Sequence, residues 1–459
     1  MTASPHHIPI LSRRRFLAAA TSVAALPTLH GCVRRDDDAP AANAGPLADD
    51  DHPSLIPPEL EPRVRILLQR RIRVVRLGAE RQWLRLRSRH DHEWGVVVQG
   101  PLGIIRNPAG WSIIDHAGTE LPSDPGTALR VTSLGDRDEV AVDDQPYPGE
   151  MVLFPSSGAD DARFDIVNHV PLEAYLPGVL AAELYHHWEP ETFAAQAIAA
   201  RSFACTERAI FQRSRHFDLH ASQRSQVYRG SVALDVAREA VEATRGLVIV
   251  WNDTDPRLVP GYYSSCCGGA PARAQDAIGP NPINALPPLH GQSHGCVCSD
   301  APLYRWTAER PTTHLARRLR TWARRHDHHD LAALSTLNDV DVAAVNQHGR
   351  PLRYRLTDRR GRTAELDAER FRFAANQRVS GLPDPDPRLW SSFVDCRVAN
   401  GRVTFHGCGH GHGVGLCQYG AQQLARGGMH HEAILRRFYP DAHLHQAYRS
   451  TADLVALLG

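Results

Sequence analysis

Between residues 64 and 153 the apolar positions fall in short runs rich in Val and Ile, separated by Gly, Pro and Asp. Runs of this length, bounded by turn-forming residues, predict a small β-sheet rather than helices. The clearest runs cover residues 72–76, 95–98, 104–105 and 140–142. We therefore expect a β-rich first part, over residues 61–155.

The pattern then changes to helical spacing. Residues 171–184 place four apolar side chains on one helical face: Leu172, Leu176, Val179 and Leu180. Residues 190–210 predict a longer helix, with Pro190 well suited to its first turn. We expect Pro177 to divide the first stretch into two helices, since proline cannot donate an internal helical hydrogen bond. Residues 165–212 are thus a predicted helical core.

The remainder of the chain mixes both patterns. Predicted strands cover residues 247–251, 258–263, 340–345, 352–356 and 403–405, and predicted helices cover residues 313–325 and 418–426. A glycine-rich loop, residues 407–415, comes just before the last helix. Helices and strands are segregated rather than strictly alternating, which favours an α+β fold with a mixed part over residues 213–446.

Glu183 lies four residues after Val179 and seven after Leu176, on the apolar face of its helix. A carboxyl against apolar surface loses hydration, so its pKa rises and it can serve as a general acid. The alternative is an ion pair at the edge of the core, for instance with Arg201, and periodicity alone favours that alternative. Glu173, in contrast, has the pattern of a solvated helix residue.

Composition narrows the function classes. The chain has 459 residues, of which 42% are hydrophobic and 22% charged, with a formal charge of +1. These values are those of a globular protein and argue against a polybasic nucleic-acid binder. All 52 basic residues are Arg, which excludes Schiff-base chemistry and a P-loop lysine.

The N-terminus predicts export. Residues 12–17, Ser-Arg-Arg-Arg-Phe-Leu, fit a twin-arginine signal, and the apolar stretch over residues 16–29 is too short for a comfortable membrane span. Cys32 ends a lipobox-like sequence and is the predicted lipidation site, although His30 replaces the usual small residue, so ordinary cleavage is the alternative. Residues 1–32 are thus a predicted signal and residues 33–60 a flexible tether, which places the protein in the periplasm or cell envelope.

Several separate motifs resemble the SpoIID/LytB (sporulation protein D) family, in the family's order. They are Val-Pro-Leu-Glu-Ala-Tyr-Leu-Pro-Gly-Val-Leu-Ala-Ala-Glu-Leu (170–184), Ala-Gln-Ala-Ile-Ala-Ala-Arg-Ser-Phe-Ala (195–204), Ser-Gln-Val-Tyr-Arg-Gly (225–230), Tyr-Ser-Ser-Cys-Cys-Gly-Gly (263–269), Gly-His-Gly-His-Gly-Val-Gly-Leu-Cys-Gln-Tyr-Gly-Ala (409–421) and Ile-Leu-Arg-Arg-Phe-Tyr-Pro-Asp (434–441). The resemblance implies one family domain over residues 61–446.

The resemblance also implies an activity, that of a lytic transglycosylase acting on peptidoglycan glycan strands whose stem peptides have been removed. The catalytic glutamate of the family falls on Glu183. A lytic transglycosylase needs only one carboxyl, because the sugar's own C6 hydroxyl attacks and leaves a 1,6-anhydro end. The family's other branch enhances a peptidoglycan amidase, which gives a non-catalytic alternative, and a zinc hydrolase is a third hypothesis. The expected partners are glycan strands and a cell-wall amidase, with membrane contact only through the lipid anchor.

Further residues of these motifs are candidates for substrate binding: Arg201, Gln226, Tyr228, Ser264, Ser265, Gly268, Gly269, His412 and Gln418. Each has a structural alternative. Arg201 suits an internal ion pair equally well, Tyr228 suits a core, and the residues over 264–269 suit a tight turn. His412 suits a purely structural role as well as it suits binding or positioning of the glutamate.

The metal content is a separate question, and the proposed activity requires no cofactor. Some members of the family hold zinc just before the Gln-Val-Tyr motif, but residues 216–225 here contain histidines and no cysteine. A different group is present instead: Cys266, Cys267, His290, His294, Cys296 and Cys298. Its four thiols suit either a tetrahedral zinc site or disulfides. The oxidising compartment favours disulfides, although a protein exported after folding can carry a metal bound beforehand.

Overall fold

The computed structural model describes residues 55–88, 94–121, 128–135, 138–156, 162–291, 295 and 297–449. Among the predicted features, the export signal, Cys32, His294 and Cys296 lie outside these residues. The chain divides into two compact units. The first contains the described residues between Leu67 and His169, and the second contains residues 55–66 and 170–449.

The strands, numbered in chain order, are β1 (Arg63–Ile72), β2 (Val74–Leu77), β3 (Trp83–Ser88), β4 (Gly95–Gln99), β5 (Leu102–Asn107), β6 (Gly110–Ile114), β7 (Glu120–Leu121), β8 (Leu129–Ser133), β9 (Glu139–Val142), β10 (Gln145–Pro148), β11 (Glu150–Pro155), β12 (Phe164–Pro171), β13 (Leu219–His220), β14 (Leu247–Trp251), β15 (Arg257–Leu258), β16 (Tyr263–Ser264), β17 (Arg305–Pro311), β18 (Leu337–Val345), β19 (Pro351–Asp358), β20 (Thr363–Asp367), β21 (Val394–Ala399), β22 (Arg402–Cys408), β23 (Leu416–Cys417) and β24 (His443–Gln446).

The α-helices are α1 (Leu172–Glu183), α2 (Pro190–Phe211), α3 (Asp235–Ala243), α4 (Ala274–Ala277), α5 (Thr312–Arg325), α6 (His329–Ala333), α7 (Ala368–Ala375), α8 (Gln418–Arg426) and α9 (His431–Phe438). Two 3₁₀ turns cover Pro282–Ala285 and Pro287–Leu289. None of these helices within the described ranges is long and apolar enough to span a membrane. The α+β class and the strand-rich first part are as the sequence predicted.

The first unit is built from two sheets. One includes the run β1-β12-β11-β8-β3-β4, and the other has the order β10-β9-β2-β5-β6-β7. The β-type alternation of the sequence explains their shared core, because Leu84 and Leu86 of β3 and Leu129 and Val131 of β8, each two residues apart, are fully buried. Trp111 and Phe164 close that core with an edge-to-face contact, their ring centroids 5.1 Å apart.

Helices α1 and α2 form the centre of the second unit. Residues 192–206 of α2 are buried without interruption, which its many alanines allow because they let neighbouring segments approach closely. One expectation is corrected here: α1 runs unbroken through Pro177. The proline removes one internal hydrogen bond, but burial of Tyr175, Leu176, Val179 and Leu180 on either side of it holds the helix together.

A second core in this unit lies between sheets and helices further along the chain. The sheets have the orders β17-β22-β21 and β18-β19-β20, and α5 and α7 contribute to the same apolar cluster. The predicted strand over residues 258–263 is replaced by the short strands β15 and β16. Pro260 and Gly261 interrupt it, and Gly261 passes so close to α2 that a Cβ there would lie 2.1 Å from the Ala199 carbonyl oxygen.

The predicted glycine-rich loop connects β22 to β23 and packs against residues 262–272. Gly409 and Gly415 have positive φ angles of 79° and 65°. A Cβ at Gly409 would lie 2.5 Å from the Cys266 carbonyl oxygen, and one at Gly415 would lie 2.1 Å from that of Tyr262. Only glycine fits both the conformation and the space. The loop therefore brings the start of α8 alongside β16, where β16 and β23 pair in parallel.

Candidate functional site

Glu183 is the last residue of α1, at the edge of the core. Its Oε1 accepts a hydrogen bond from the Val227 backbone N–H at 2.9 Å. This contact depends on a close approach of α1 to residues 228–230, because a Cβ at Gly178 would lie 2.2 Å from the Gly230 carbonyl oxygen. The helix and the Gln-Val-Tyr segment, which are distant in sequence, thus fix one carboxyl oxygen.

Burial raises the pKa of Glu183 above its usual value. The Val227 amide, Gln418, the Arg229 guanidinium and Tyr263 all act in the opposite direction but do not cancel the effect of burial. Glu183 as a whole residue is nevertheless only partly buried. Its carboxyl therefore keeps its proton to a higher pH than that of an ordinary glutamate, on a residue at the edge of the core.

Two hydrogen-bond donors near this carboxyl come from the region where β16 and β23 pair. Tyr263 lies in β16, and Gln418 is the first residue of α8. Both lie close enough to Glu183 to lower its pKa, yet neither the Tyr263 hydroxyl nor the Gln418 Nε2 forms a hydrogen bond of good geometry with any described residue. Buried donors without well-placed partners are costly, so this pair is suited to a ligand. Gln418, a predicted binding residue, thus lies near the carboxyl.

Gln226 and Tyr228, on either side of Val227, are buried against Tyr175. The Tyr175 hydroxyl donates to Gln226 Oε1 at 3.1 Å, and Gln226 Nε2 donates to the Ala200 carbonyl at 3.2 Å. Tyr228 is buried against Tyr175, with ring centroids 4.6 Å apart. Both side chains therefore hold the segment that carries the Val227 amide, which is a positioning role rather than contact with a sugar.

Arg201 pairs with Glu173, and not with Glu183. Its Nε and Nη2 each donate to a Glu173 carboxylate oxygen at 2.8 Å, and its side chain is fully buried. Burial alone would raise the pKa of Glu173, but the guanidinium outweighs burial and holds that pKa below its usual value. Glu173 is therefore a buried partner and not the solvated residue that its sequence pattern suggested. Arg201 therefore has the internal ion pair that the sequence offered as an alternative to substrate binding. Because its guanidinium is occupied by Glu173, it is not available to a substrate.

The small residues at 264–269 form the turn against which the glycine-rich loop packs. The Ser264 hydroxyl accepts a hydrogen bond from the Gly413 N–H at 3.3 Å, and the Ser265 carbonyl accepts one from the Tyr419 N–H at 3.1 Å. Gly268 and Gly269 both have positive φ angles, 72° and 90°. These residues join the loop to β16 and so determine where Tyr263 and Gln418 lie.

His412 is held by the backbone on both sides of its ring. Its Nδ1 accepts from the Val414 N–H at 3.0 Å, and its ring also hydrogen bonds to the Tyr263 backbone. Burial lowers the pKa of His412 to about 4, so it is neutral at neutral pH. The contact with Tyr263 favours a role in positioning that donor over direct binding.

An aromatic cluster beside Glu183 was not predicted from the sequence. Tyr185, two residues after Glu183, is 51% exposed. Its ring centroid lies 5.3 Å from that of Trp188 and 6.3 Å from that of Tyr419, which follows Gln418. Exposed aromatic faces of this kind suit stacking on sugar rings. The only sequence signal was the proximity of these aromatics to two motif residues.

The predicted cysteine group is only partly as expected. Cys266, Cys267 and Cys298 lie together as free thiols, and Cys417 joins them from β23, directly after the glycine-rich loop. His290 hydrogen bonds to the Ala285 carbonyl at 2.9 Å and is not part of this group. Within the described residues, His216 and His220 also belong to no metal-ligand group, so the zinc site of some family members does not fit here.

Comparison with known proteins gives a family match over the segment that contains Glu183, and two relatives. The family model described as Stage II sporulation protein matches residues 160–251, which include Glu183 and Val227. An uncharacterized protein of Brachyspira hyodysenteriae is 26% identical over 294 residues, covering 64% of this chain and 70% of that protein. The amidase enhancer of Bacillus subtilis is 23% identical over 298 residues, covering 58% of this chain but only 39% of that protein.

The segment matched by the family model carries the helix, the carboxyl and the amide that fixes it, so that match and the geometry concern the same residues. They indicate a role connected with the cell wall. The SpoIID match and the amidase-enhancer relative together support the assignment of this chain to the SpoIID/LytB family.

Proposed function

We propose that this protein cleaves peptidoglycan glycan strands as a lytic transglycosylase, with Glu183 as the single acid and base. The observation that carries the proposal is the setting of Glu183. Its carboxyl has a raised pKa and is fixed by the Val227 amide at 2.9 Å, and the residue as a whole is partly exposed. A general acid needs these properties: a proton retained near neutral pH, a fixed direction and access to the substrate.

The reaction requires two proton transfers by the same residue. Glu183 first donates its proton to the glycosidic oxygen as the bond from that oxygen to the anomeric carbon breaks. The C6 hydroxyl of the muramic acid residue then attacks the anomeric carbon, and its proton returns to the Glu183 carboxylate. The products are a 1,6-anhydro end and a new hydroxyl end, and no water is consumed. Glycoside hydrolysis would instead require a second carboxyl, whereas the groups with most influence on Glu183 are an amide, a carboxamide, a guanidinium and a phenol.

The surroundings of Glu183 also suit the preference for glycan without peptides. Removal of the stem peptide leaves a free lactyl carboxylate on muramic acid. Arg229 is exposed and lies close enough to lower the pKa of Glu183 through its charge. It is thus placed to pair with that carboxylate, while the exposed Tyr185 offers a stacking surface for a sugar ring.

The test is an end-group analysis. Peptide-free glycan strands would be incubated with the full chain, and the products would be identified by mass spectrometry. We expect ends that lack one water relative to reducing ends. Reducing ends would show that the protein is a hydrolase, and intact strands would contradict cleavage altogether.

A second candidate follows from the relative named amidase enhancer. On this hypothesis the same site binds glycan and the protein stimulates a cell-wall amidase without cleaving glycan. Stimulation of a purified amidase that is equal for wild type and Glu183→Gln, with no cleavage by either, would favour this candidate over the first.

We also propose that the protein works outside the cytoplasmic membrane as a lipid-anchored protein. This proposal rests on the twin-arginine sequence and on Cys32, and it agrees with a substrate that is found only in the envelope.

A further inference from the structure

Three buried sulfur atoms meet at one point in the second unit. The Sγ atoms of Cys267, Cys298 and Cys417 all lie within 4.8 Å of one another, and those of Cys267 and Cys298 are 3.6 Å apart. They come from three separate segments, and all three side chains belong to one apolar cluster with at most 2% exposure. Cys266 directly precedes Cys267, and its Sγ contacts the carbonyl oxygen of Cys298 at 3.9 Å.

This arrangement suits a metal ion better than disulfides. A disulfide joins two sulfurs and would leave the third thiol buried beside it. In a tetrahedral zinc site with Zn–S bonds of about 2.3 Å, neighbouring sulfurs lie roughly 3.8 Å apart, close to the separation of Cys267 and Cys298. The meeting of three sulfurs, with a fourth beside them, therefore matches a thiolate zinc centre.

Backbone amides are directed at the sulfurs of the cluster. The Cys267 N–H is directed at the Cys417 Sγ, 3.4 Å away. The amides of Gly268 and Gly269 face the sulfurs of Cys266 and Cys267. Both glycines have positive φ angles, a conformation that allows the turn to direct its N–H groups inward.

A buried cation, Arg350, contacts the turn that carries Cys267. Arg350 is 2% exposed, and its Nη1 donates to the carbonyl oxygens of Cys267 at 3.1 Å and Ala270 at 3.2 Å. Four thiolates around Zn²⁺ carry a net charge of −2, so a guanidinium fixed nearby offsets part of it.

We propose that Cys267, Cys298 and Cys417 bind a structural zinc ion, with Cys266 as the fourth thiolate. Binding replaces four S–H protons by four Zn–S bonds and involves no oxidation. The metal would tie together the turn after β16, the end of β23 and the segment around Cys298. Because Cys266 follows Tyr263 by three residues and Cys417 directly precedes Gln418, it would also fix the two donors that face Glu183.

Metal analysis of the full chain tests this proposal. Protein purified without chelators should contain one zinc per chain by plasma mass spectrometry. Replacement by Co²⁺ should give the visible bands of a tetrahedral site together with sulfur-to-cobalt charge transfer. Cys298→Ser and Cys417→Ser should lose most of the metal. Cys205→Ser, which removes a buried thiol in α2 away from the cluster, should keep it.

A measurement on the wild-type chain covers the case in which these variants do not fold. Removal of zinc by a chelator should lower the midpoint of thermal unfolding and expose four additional reactive thiols, and added zinc should restore both. The proposal is overturned if the purified chain binds no zinc or cobalt. It is also overturned if peptide mapping finds Cys267 or Cys298 in a disulfide, or if Cys417→Ser folds and retains its metal.

Discussion

At the scale of single residues, the carboxyl of Glu183 experiences opposing influences. Burial raises its pKa, whereas the Val227 amide, Gln418, Arg229 and Tyr263 lower it. Because burial prevails, the proton is retained beyond the ordinary range, yet each of these groups stabilises the carboxylate that forms when the proton is transferred. This combination is what a residue that acts first as acid and then as base requires.

Tyr263 provides a test of this balance. Tyr263→Phe removes a hydroxyl that lowers the pKa of Glu183, so that pKa should rise. The alkaline limb of the pH profile of kcat/KM should therefore move to higher pH. Cleavage at the optimum should fall by roughly tenfold, the value of one hydrogen bond that the hydroxyl would donate to the carboxylate formed on proton transfer.

The matched control is Tyr262→Phe, since the Tyr262 hydroxyl donates to Asn284 Oδ1 at 2.9 Å and does not act on Glu183. It should leave the profile in place. An alkaline limb that stays fixed, or moves to lower pH, in Tyr263→Phe would show that the hydroxyl does not stabilise the carboxylate.

At the scale of elements, much could be predicted from the sequence and some could not. The sequence pattern predicted the ends of α1 and α2 closely, although it also predicted a break at Pro177 that α1 does not have. The same pattern could not decide which acid pairs with Arg201. Glu173 and Glu183 both lie on α1, and only the packing of α2 against it shows that Arg201 reaches Glu173.

At the site too, some features could be predicted from the sequence and others could not. The resemblance located Glu183 and Gln418, but it did not distinguish residues that face the carboxyl from residues that support it. Gln226 and Tyr228 belong to the second kind, since they are buried against Tyr175. Cys417 was absent from the predicted cysteine group because it is 119 positions after Cys298 in the chain, and only the glycine-rich loop brings the two together.

The contact between α1 and residues 228–230 gives an element-level prediction. An alanine inside a helix normally stabilises it by about 1 kcal/mol relative to glycine. Gly178→Ala should instead lower the free energy of unfolding by about 1–3 kcal/mol, because its Cβ would lie 2.2 Å from the Gly230 carbonyl oxygen and 2.8 Å from the Tyr228 ring. Urea unfolding measures this change.

The displaced segment carries the Val227 amide, so glycan cleavage should fall as well. Ala174→Ser is the control, because Ala174 is exposed on the same helix and the change should cost only a few tenths of a kcal/mol. A Gly178→Ala variant as stable and as active as wild type would contradict the close approach.

At the scale of the whole chain, the site and most of the family match lie in the second unit, while the N-terminal sequence bears on location. Arg13→Gln together with Arg14→Gln should keep the protein in the cytoplasm, because the twin-arginine pair would no longer be recognised. Cell fractionation and immunoblotting measure this. The paired substitutions Arg34→Gln and Arg35→Gln, beyond the signal, should be exported normally. Export of the first variant at the normal level would contradict a twin-arginine route.

The role of Glu183 is tested most directly by Glu183→Gln, assayed on peptide-free glycan beside wild type. Glutamine keeps the size and most of the hydrogen bonding but cannot donate a proton and take it back. We expect release of anhydro ends to fall by about 10²–10⁴-fold, while binding to the same glycan persists.

Stability separates this result from misfolding. Since the pKa of Glu183 is raised in the folded protein, wild type loses stability as the pH rises from the unfolded pKa towards the folded one, and the glutamine variant does not. Glu183→Gln should therefore be at least as stable as wild type at neutral pH, and the difference should grow over that pH range. A well-folded Glu183→Gln that releases anhydro ends at the wild-type rate would contradict catalysis by Glu183.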